Sequence, residues 1–257
     1  MSYFDSLFFG LYPYVAGAVF LIGSWLRYDQ AQYTWRAGSS QMLSNSGMRV
    51  ASNLFHVGIL VIFFGHLVGL LMPHWLYEPL MSAGTKQVMA IIVGGIAGAA
   101  CWYGALLLFL RRKNDPRVRA TGTTMDLAVI AILLVQVTLG LLTIIPTLGH
   151  LDGSNMLKLA EWAQSIVFFK GGAAAHLADV GFIFKLHILL GLTVFLLFPF
   201  TRLVHIWSVP VPSVSNRAGE GVMYGSWNVY PGARWDASVS GGGDCGRVAI
   251  PPGGTIG

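Results

Sequence analysis

The sequence predicts an all-α integral membrane bundle of five transmembrane helices, with the amino terminus outside and the carboxyl terminus cytoplasmic. Three observations carry this prediction. Of 257 residues, 54% are hydrophobic and only 11% are charged, where a soluble domain averages about 25% charged. Several apolar runs reach the roughly 20 residues that a helix needs to cross a bilayer. Basic residues gather in alternate loops, and Lys and Arg favour the cytoplasmic side.

Each element follows from its own stretch. Span one runs from about Leu7 to Leu26. It does not read as a signal peptide, because no basic residue precedes it and Arg27 follows it directly. Span two runs from about Ser52 to Met72, span three from about Gln87 to Leu110, and span four from about Met125 to Ile145. Span five, about Val180 to Trp207, exceeds the hydrocarbon thickness and is expected to tilt or protrude. Arg27, Arg36 and Arg49 lie between spans one and two; Arg111, Arg112, Lys113, Arg117 and Arg119 lie between three and four. The other loops set Lys86, Lys158 and Lys170 against Glu78, Asp152, Glu161 and Asp179. Trp25, Trp35, Trp75 and Trp207 stand near span ends, where interfacial aromatics belong.

The loop from Pro146 to Asp179 is too long for a plain connector. Its period predicts a short helix from Asn155 to about Phe169, capped by Ser154 and lying in the outer interface. Residues 1–210 thus form the membrane domain. Residues 211–257 form a Gly/Pro-rich tail, including SGGGD and IPPGGTIG, which reads as disordered or ordered on a partner.

Four histidines lie within spans, where an imidazole is expensive and usually functional. His56 and His66 are on span two, His187 and His205 on span five. The latter two are eighteen residues apart, five helical turns, hence on one face and about 27 Å apart along a straight helix. The former two are ten apart, about 15 Å. Spans two and five run antiparallel, so depth pairs His56 with His205 at the inner side and His66 with His187 at the outer side. The mismatch of about 12 Å has to be absorbed by tilt.

Paired imidazoles between helices suit a six-coordinate heme iron, which carries electrons and binds no oxygen. A zinc site would gather its ligands around one centre. A proton relay would want carboxylates at intermediate depth, and Asp and Glu are absent from the span interiors. Two heme b groups at two depths are therefore the expected cofactors, with the four histidines as axial ligands to iron. The absence of a C-x-x-C-H motif excludes a thioether link. Gly58, Gly65, Gly69 and Gly191 offer room beside the histidines, although small residues also serve plain helix packing. His74, His150 and His176 fall in outer loops and read as surface residues.

At this point the sequence resembles the gamma subunit of membrane-bound respiratory nitrate reductase, a diheme cytochrome b. The likeness is carried by YPYVAGAVFLIGSWLRYDQAQYTWRA, MRVASNLFHVGILVIFFGH, PRVRATGTTMD and FKLHILLGLTVFLLFPFTRLVHIWSVPV, spread over residues 3–211. The tail beyond Val211 departs from that family's basic carboxyl end. The resemblance implies a proximal heme on His56 and His205, a distal heme on His66 and His187, and quinol oxidised near the distal heme. It also implies a bacterial inner-membrane location, electron delivery to an iron-sulfur beta subunit, and nitrate reduction on a molybdenum-containing alpha subunit.

Around that frame, Lys86 is expected to border the quinol pocket together with Gly65 and His66. It is the only basic residue in the loop after His66, and TKQVM resembles the family motif there. The plain alternative is a lysine snorkelling to the interface. Arg112, Arg202 and Tyr28 are candidate contacts for the proximal propionates, since Arg suits carboxylates; ordinary positive-inside anchoring is the competing role. Lys185 is expected to snorkel outward or to meet a distal propionate. The alternatives are the cytochrome b anchor of a formate dehydrogenase or hydrogenase, told apart by the soluble partner, and a heme-free transport subunit, told apart by colour.

Overall fold

The computed structural model describes residues 3–31 and 47–208. Every element among them is helical. Five helices are long and apolar enough to cross a membrane: Tyr3–Gln30, Met48–Leu71, Ala83–Asn114, Thr124–Leu148 and Phe182–Phe200. The expectations placed on Trp35, Arg36 and the tail 211–257 lie outside the described residues.

Span order in space follows from packing. Span two lies on span three, three on four, four on five, and five on one. Span two meets span three along a seam of small residues. Ala51, Ala97, Cys101 and Ala105 are buried there, and a Cβ on Gly58 would sit 2.7 Å from that of Cys101. A Cβ on Gly104 would sit 2.5 Å from the Phe55 backbone nitrogen. Small residues let helix backbones approach where lipid gives no hydrophobic drive between them. Gly58 therefore serves the span two–span three contact. By contrast, spans two and five are not extensively packed on one another among the described residues.

Local signals set the helix ends. The Ser82 hydroxyl accepts from the Thr85 N–H at the start of span three. Arg111, Arg112 and Lys113 close its last turn, where cations complement the helix dipole. Thr123 and Asp126 form a reciprocal capping box at the start of span four. Span one contains a π-helical turn at Leu7–Leu11. The Phe9 carbonyl in that turn accepts from the Trp162 indole at 2.9 Å.

Trp162 belongs to the helix Ser154–Val167, which covers the end of the bundle where spans two and three meet their loops. Gln164 Nε2 donates to the Leu70 and Met72 carbonyls at 3.0 and 3.3 Å, and so caps span two. The helix expected in this loop is present, but its start differs. Gly153, at φ 85°, holds the cap position, and Ser154 is the first helical residue. The Ser154 hydroxyl instead donates to Asp152 at 2.8 Å. That contact holds the Asp152 carboxyl below the usual carboxylate range.

Span five also departs from expectation. It is α-helical over Phe182–Leu197, turns to 3-10 over Phe198–Phe200, passes through an extended Thr201, and resumes as 3-10 over Arg202–Ser208. Pro199 removes a backbone donor and clashes with the preceding turn. The chain is redirected there, so His187 and His205 do not share one straight helix.

Candidate functional site

Imidazoles can act as ligands only if their rings converge. The ring centres of His66 and His187 are 6.1 Å apart, with planes inclined at 40°. Those of His56 and His205 are 6.4 Å apart, with planes at 76°. Both pairings are those the sequence depth predicts. Span five is broken at Pro199 between His187 and His205, so the straight-helix separation of about 27 Å does not apply to them.

The neighbouring hydrogen bonds fix the tautomer. Nδ1 of His56 donates to the Ser52 carbonyl at 2.7 Å, and Nδ1 of His66 to that of Ile62 at 2.8 Å. Nδ1 of His205 donates to the Arg202 carbonyl at 2.5 Å. With the proton held on Nδ1, Nε2 presents a lone pair, the arrangement usual for metal-ligating histidine. His187 is held differently. Gln136 of span four donates from Nε2 to the His187 carbonyl at 3.1 Å. His187 Nδ1 is buried without a hydrogen bond of good geometry, although the Gln136 backbone bears on the ring. A Cβ on Gly140 would come 3.0 Å from His187 Cε1, so this glycine makes room for the imidazole.

The spacing tests which metal group would fit. Two metal–nitrogen bonds of about 2 Å each, plus the two half-rings, span roughly 6 Å. Both pairs match that length. Among the described residues no three His, Cys, Asp or Glu side chains converge as a metal group. Each pair thus suits a metal whose remaining positions are filled by a macrocycle.

The basic end of the bundle holds a second cluster that sequence reading did not foresee. Asp126, whose side chain is 4% exposed, takes Arg202 Nε on Oδ1 at 2.7 Å and lies 3.8 Å from Arg112 on Oδ2. Its Oδ2 also accepts the Thr123 N–H at 3.0 Å. Arg112 and Arg202 are thus brought together, but by a carboxylate of the chain itself. Tyr28 stands at the same end, more than half exposed. Arg27 reaches from span one to donate to the Pro199 and Thr201 carbonyls at 2.6 and 2.8 Å. A readable signal for Asp126 was the T-x-x-D capping pattern opening an apolar run. Arg27 carried no signal beyond a charge at a span end.

At the other end, Lys86 is 9% exposed, and its ammonium lies 3.8 Å from the Tyr77 ring centre. It is a buried cation over an aromatic face, not a lysine reaching freely for the interface. Burial, with Glu78 adding, raises the Tyr77 hydroxyl above the usual phenol range. Next to Lys86, Gln87 is 2% exposed and donates to the His150 carbonyl at 2.6 Å. Gly65 has nothing within 4 Å of an added Cβ, whereas Gly69 faces Met156 and Gly191 faces Gln136. Lys185 pairs with Asp5 at 3.1 Å. His74 and His176 each lie 3.2 Å from a carboxylate, those of Glu78 and Glu161.

Fold and site together define an all-helical membrane protein with two paired-imidazole sites at different depths. The nitrate reductase gamma subunit family matches residues 5–218, and the chain belongs to it. It is 57% identical over 217 residues to the respiratory nitrate reductase 1 gamma chain of Escherichia coli K12, covering 84% of this chain and 96% of that one. The respiratory nitrate reductase 2 gamma chain of the same strain is 53% identical, with the same coverage. The nitrate reductase gamma chain of Bacillus subtilis 168 is 34% identical over 206 residues, 80% of this chain and 92% of that one. The protein is accordingly a subunit of an oxidoreductase complex and has further subunits as partners.

Proposed function

We propose that this chain is the quinol-oxidising cytochrome b anchor of a respiratory nitrate reductase. His66 and His187 would hold one heme b, and His56 and His205 a second. Bound there, the hemes supply single-electron transfer between a quinol at one side of the membrane and a partner subunit at the other. The observation that carries this reading is the pair of imidazole contacts, 6.1 and 6.4 Å at two depths, in a chain of this family.

The chain's own residues perform the rest. The backbone carbonyls of Ser52, Ile62 and Arg202 keep the ligand nitrogens deprotonated and aimed. Lys86, beside His66's end of the bundle, would hydrogen-bond the quinol oxygen, with Gly65 leaving space for the ring. The basic end faces the cytoplasm, so the amino terminus is outside in the bacterial inner membrane. There the chain docks an iron-sulfur beta subunit, and a molybdenum-containing alpha subunit reduces nitrate. Asp126 engages one of the five N–H donors of Arg202. Arg202 therefore keeps donors for a propionate of the inner heme, with Arg112 and Tyr28 as further candidate contacts at the same end.

The test is spectroscopic. Membrane-purified complex should show a dithionite-reduced b-type α band and two irons in this chain. His66→Ala or His187→Ala should remove one heme, and His56→Ala or His205→Ala the other. A colourless chain, or loss of both hemes only when all four are changed, overturns the assignment and returns the heme-free transport reading. Separately, Lys86→Ala should slow quinol-driven heme reduction by about tenfold or more, the loss of one charge-assisted hydrogen bond. Dithionite reduction should stay intact, and unchanged quinol kinetics would remove Lys86 from the site.

A further inference from the structure

His205 is supported differently from the other three candidate ligands. His56, His66 and His187 project from continuous α-helix, whose ladder fixes the backbone beneath them. His205 lies beyond the break at Pro199, in the 3-10 segment Arg202–Ser208. Something outside span five must hold that segment still if its imidazole is to stay aimed.

Two charged residues grip it from neighbouring helices. From span one, a single nitrogen of Arg27 donates to the carbonyls of Pro199 and Thr201, on either side of the turn. From span four, the buried Asp126 carboxylate takes Arg202 Nε at 2.7 Å. Arg202 is also the residue whose carbonyl accepts from His205 Nδ1. Its side chain is therefore anchored while its backbone orients the ligand. Span one adds a notch: a Cβ on Gly23 would lie 2.8 Å from Pro199 Cγ. Inside the grip, Thr201 is 4% and Val204 1% exposed.

We propose that Arg27 and Asp126 are positioning residues for His205, a two-sided clamp of charge-assisted hydrogen bonds that orders the broken end of span five and sets the inner ligand pair. Charge-assisted hydrogen bonds are the strong ones: Asp126→Asn leaves Arg202 a weaker, neutral partner, and Arg27→Gln leaves the Pro199 and Thr201 carbonyls without a cationic donor. The clamp binds no cofactor. It acts through Arg202 and the backbone of residues 199–201. The proposal rests on reading His205 as a heme ligand.

The experiment uses the whole complex in membranes with two readouts. Val204→Cys in a Cys245→Ser background reports opening of the segment through its rate of maleimide alkylation, independently of heme; Cys101 is 0% exposed and stays silent. Asp126→Asn and Arg27→Gln should each raise that rate about tenfold or more. Asp126→Glu and Arg27→Lys should recover part of the protection. In a redox titration of the same clamp variants, only the midpoint of the heme lost in His205→Ala should shift. Unchanged alkylation in both variants, or equal shifts of both midpoints, overturns the clamp. Should Asp126→Asn fail to accumulate, Arg27→Gln carries the same decision. A parent chain without heme overturns the ligand reading, and this proposal with it, whereas silent alkylation overturns the clamp alone.

Discussion

His187 is the most tightly walled of the four imidazoles. Gln136 holds its carbonyl, and Gly140, one turn further along span four, leaves just the space its ring occupies. Gly140→Val would place branched carbon where a single Cβ already stands 3.0 Å from Cε1. Overpacking of this kind costs about 1–3 kcal/mol. The expected outcome is a shifted or lost outer heme, read by redox titration, with the inner heme unmoved; two unmoved hemes would show that the ring has room to yield. The histidines themselves were legible in sequence, because an imidazole in hydrocarbon stands out and helical rise fixes its depth. Asp126 and Arg27 were not. A charge at a span end is what membrane anchoring already requires, and its partner lies 76 residues away in one case and 172 in the other. Only the fold shows that these two charges turn inward. The same holds for Lys86, whose contact with Tyr77 separates a buried cation from a snorkelling one.

At the scale of elements, the five spans and the helix Ser154–Val167 follow from apolar length and period, and their ends from caps. The break in span five was also written in the chain, as Pro199 within FPFTR. The apolar run continues through it, so hydropathy alone joins both halves into one long helix. The about 12 Å mismatch between the histidine spacings was the quantitative trace of that error. Glycine roles were equally mixed in the sequence. Gly58 and Gly104 line the seam between spans two and three, whereas Gly65 faces open space. Gly104→Ala, with its Cβ driven 2.5 Å from a backbone nitrogen, should cost about 1–3 kcal/mol. Gly65→Ala should leave stability unchanged or slightly improved, since alanine favours helix. Thermal unfolding midpoints in detergent compare the two directly. Equal midpoints would mean that the seam relaxes without cost.

Across the whole molecule the decisive asymmetry is charge. Arg27, Arg49, Arg111, Arg112, Lys113, Arg117, Arg119 and Arg202 cluster at the end that bears His56 and His205. The opposite end, closed by the helix Ser154–Val167, balances its lysines with carboxylates, as in Lys185 with Asp5. Under the positive-inside bias this supports the proposed orientation, with the His66–His187 pair toward the outside. The placement has an energetic consequence for the proposed activity. A quinol oxidised at that pair releases its protons outward while its electrons move inward, and each charge so moved works against about 2.3 kcal/mol per 100 mV. The reverse orientation would discharge the membrane by the same amount. Impermeant maleimide distinguishes the two. In a Cys245→Ser background, Lys170→Cys, on the exposed turn after the covering helix, should label in right-side-out vesicles. Lys113→Cys, at the end of span three, should label only in inverted ones. The opposite pattern would leave the histidine geometry intact but put the quinol site on the cytoplasmic face, so that its protons would be released inside while its electrons moved outward, down the membrane potential.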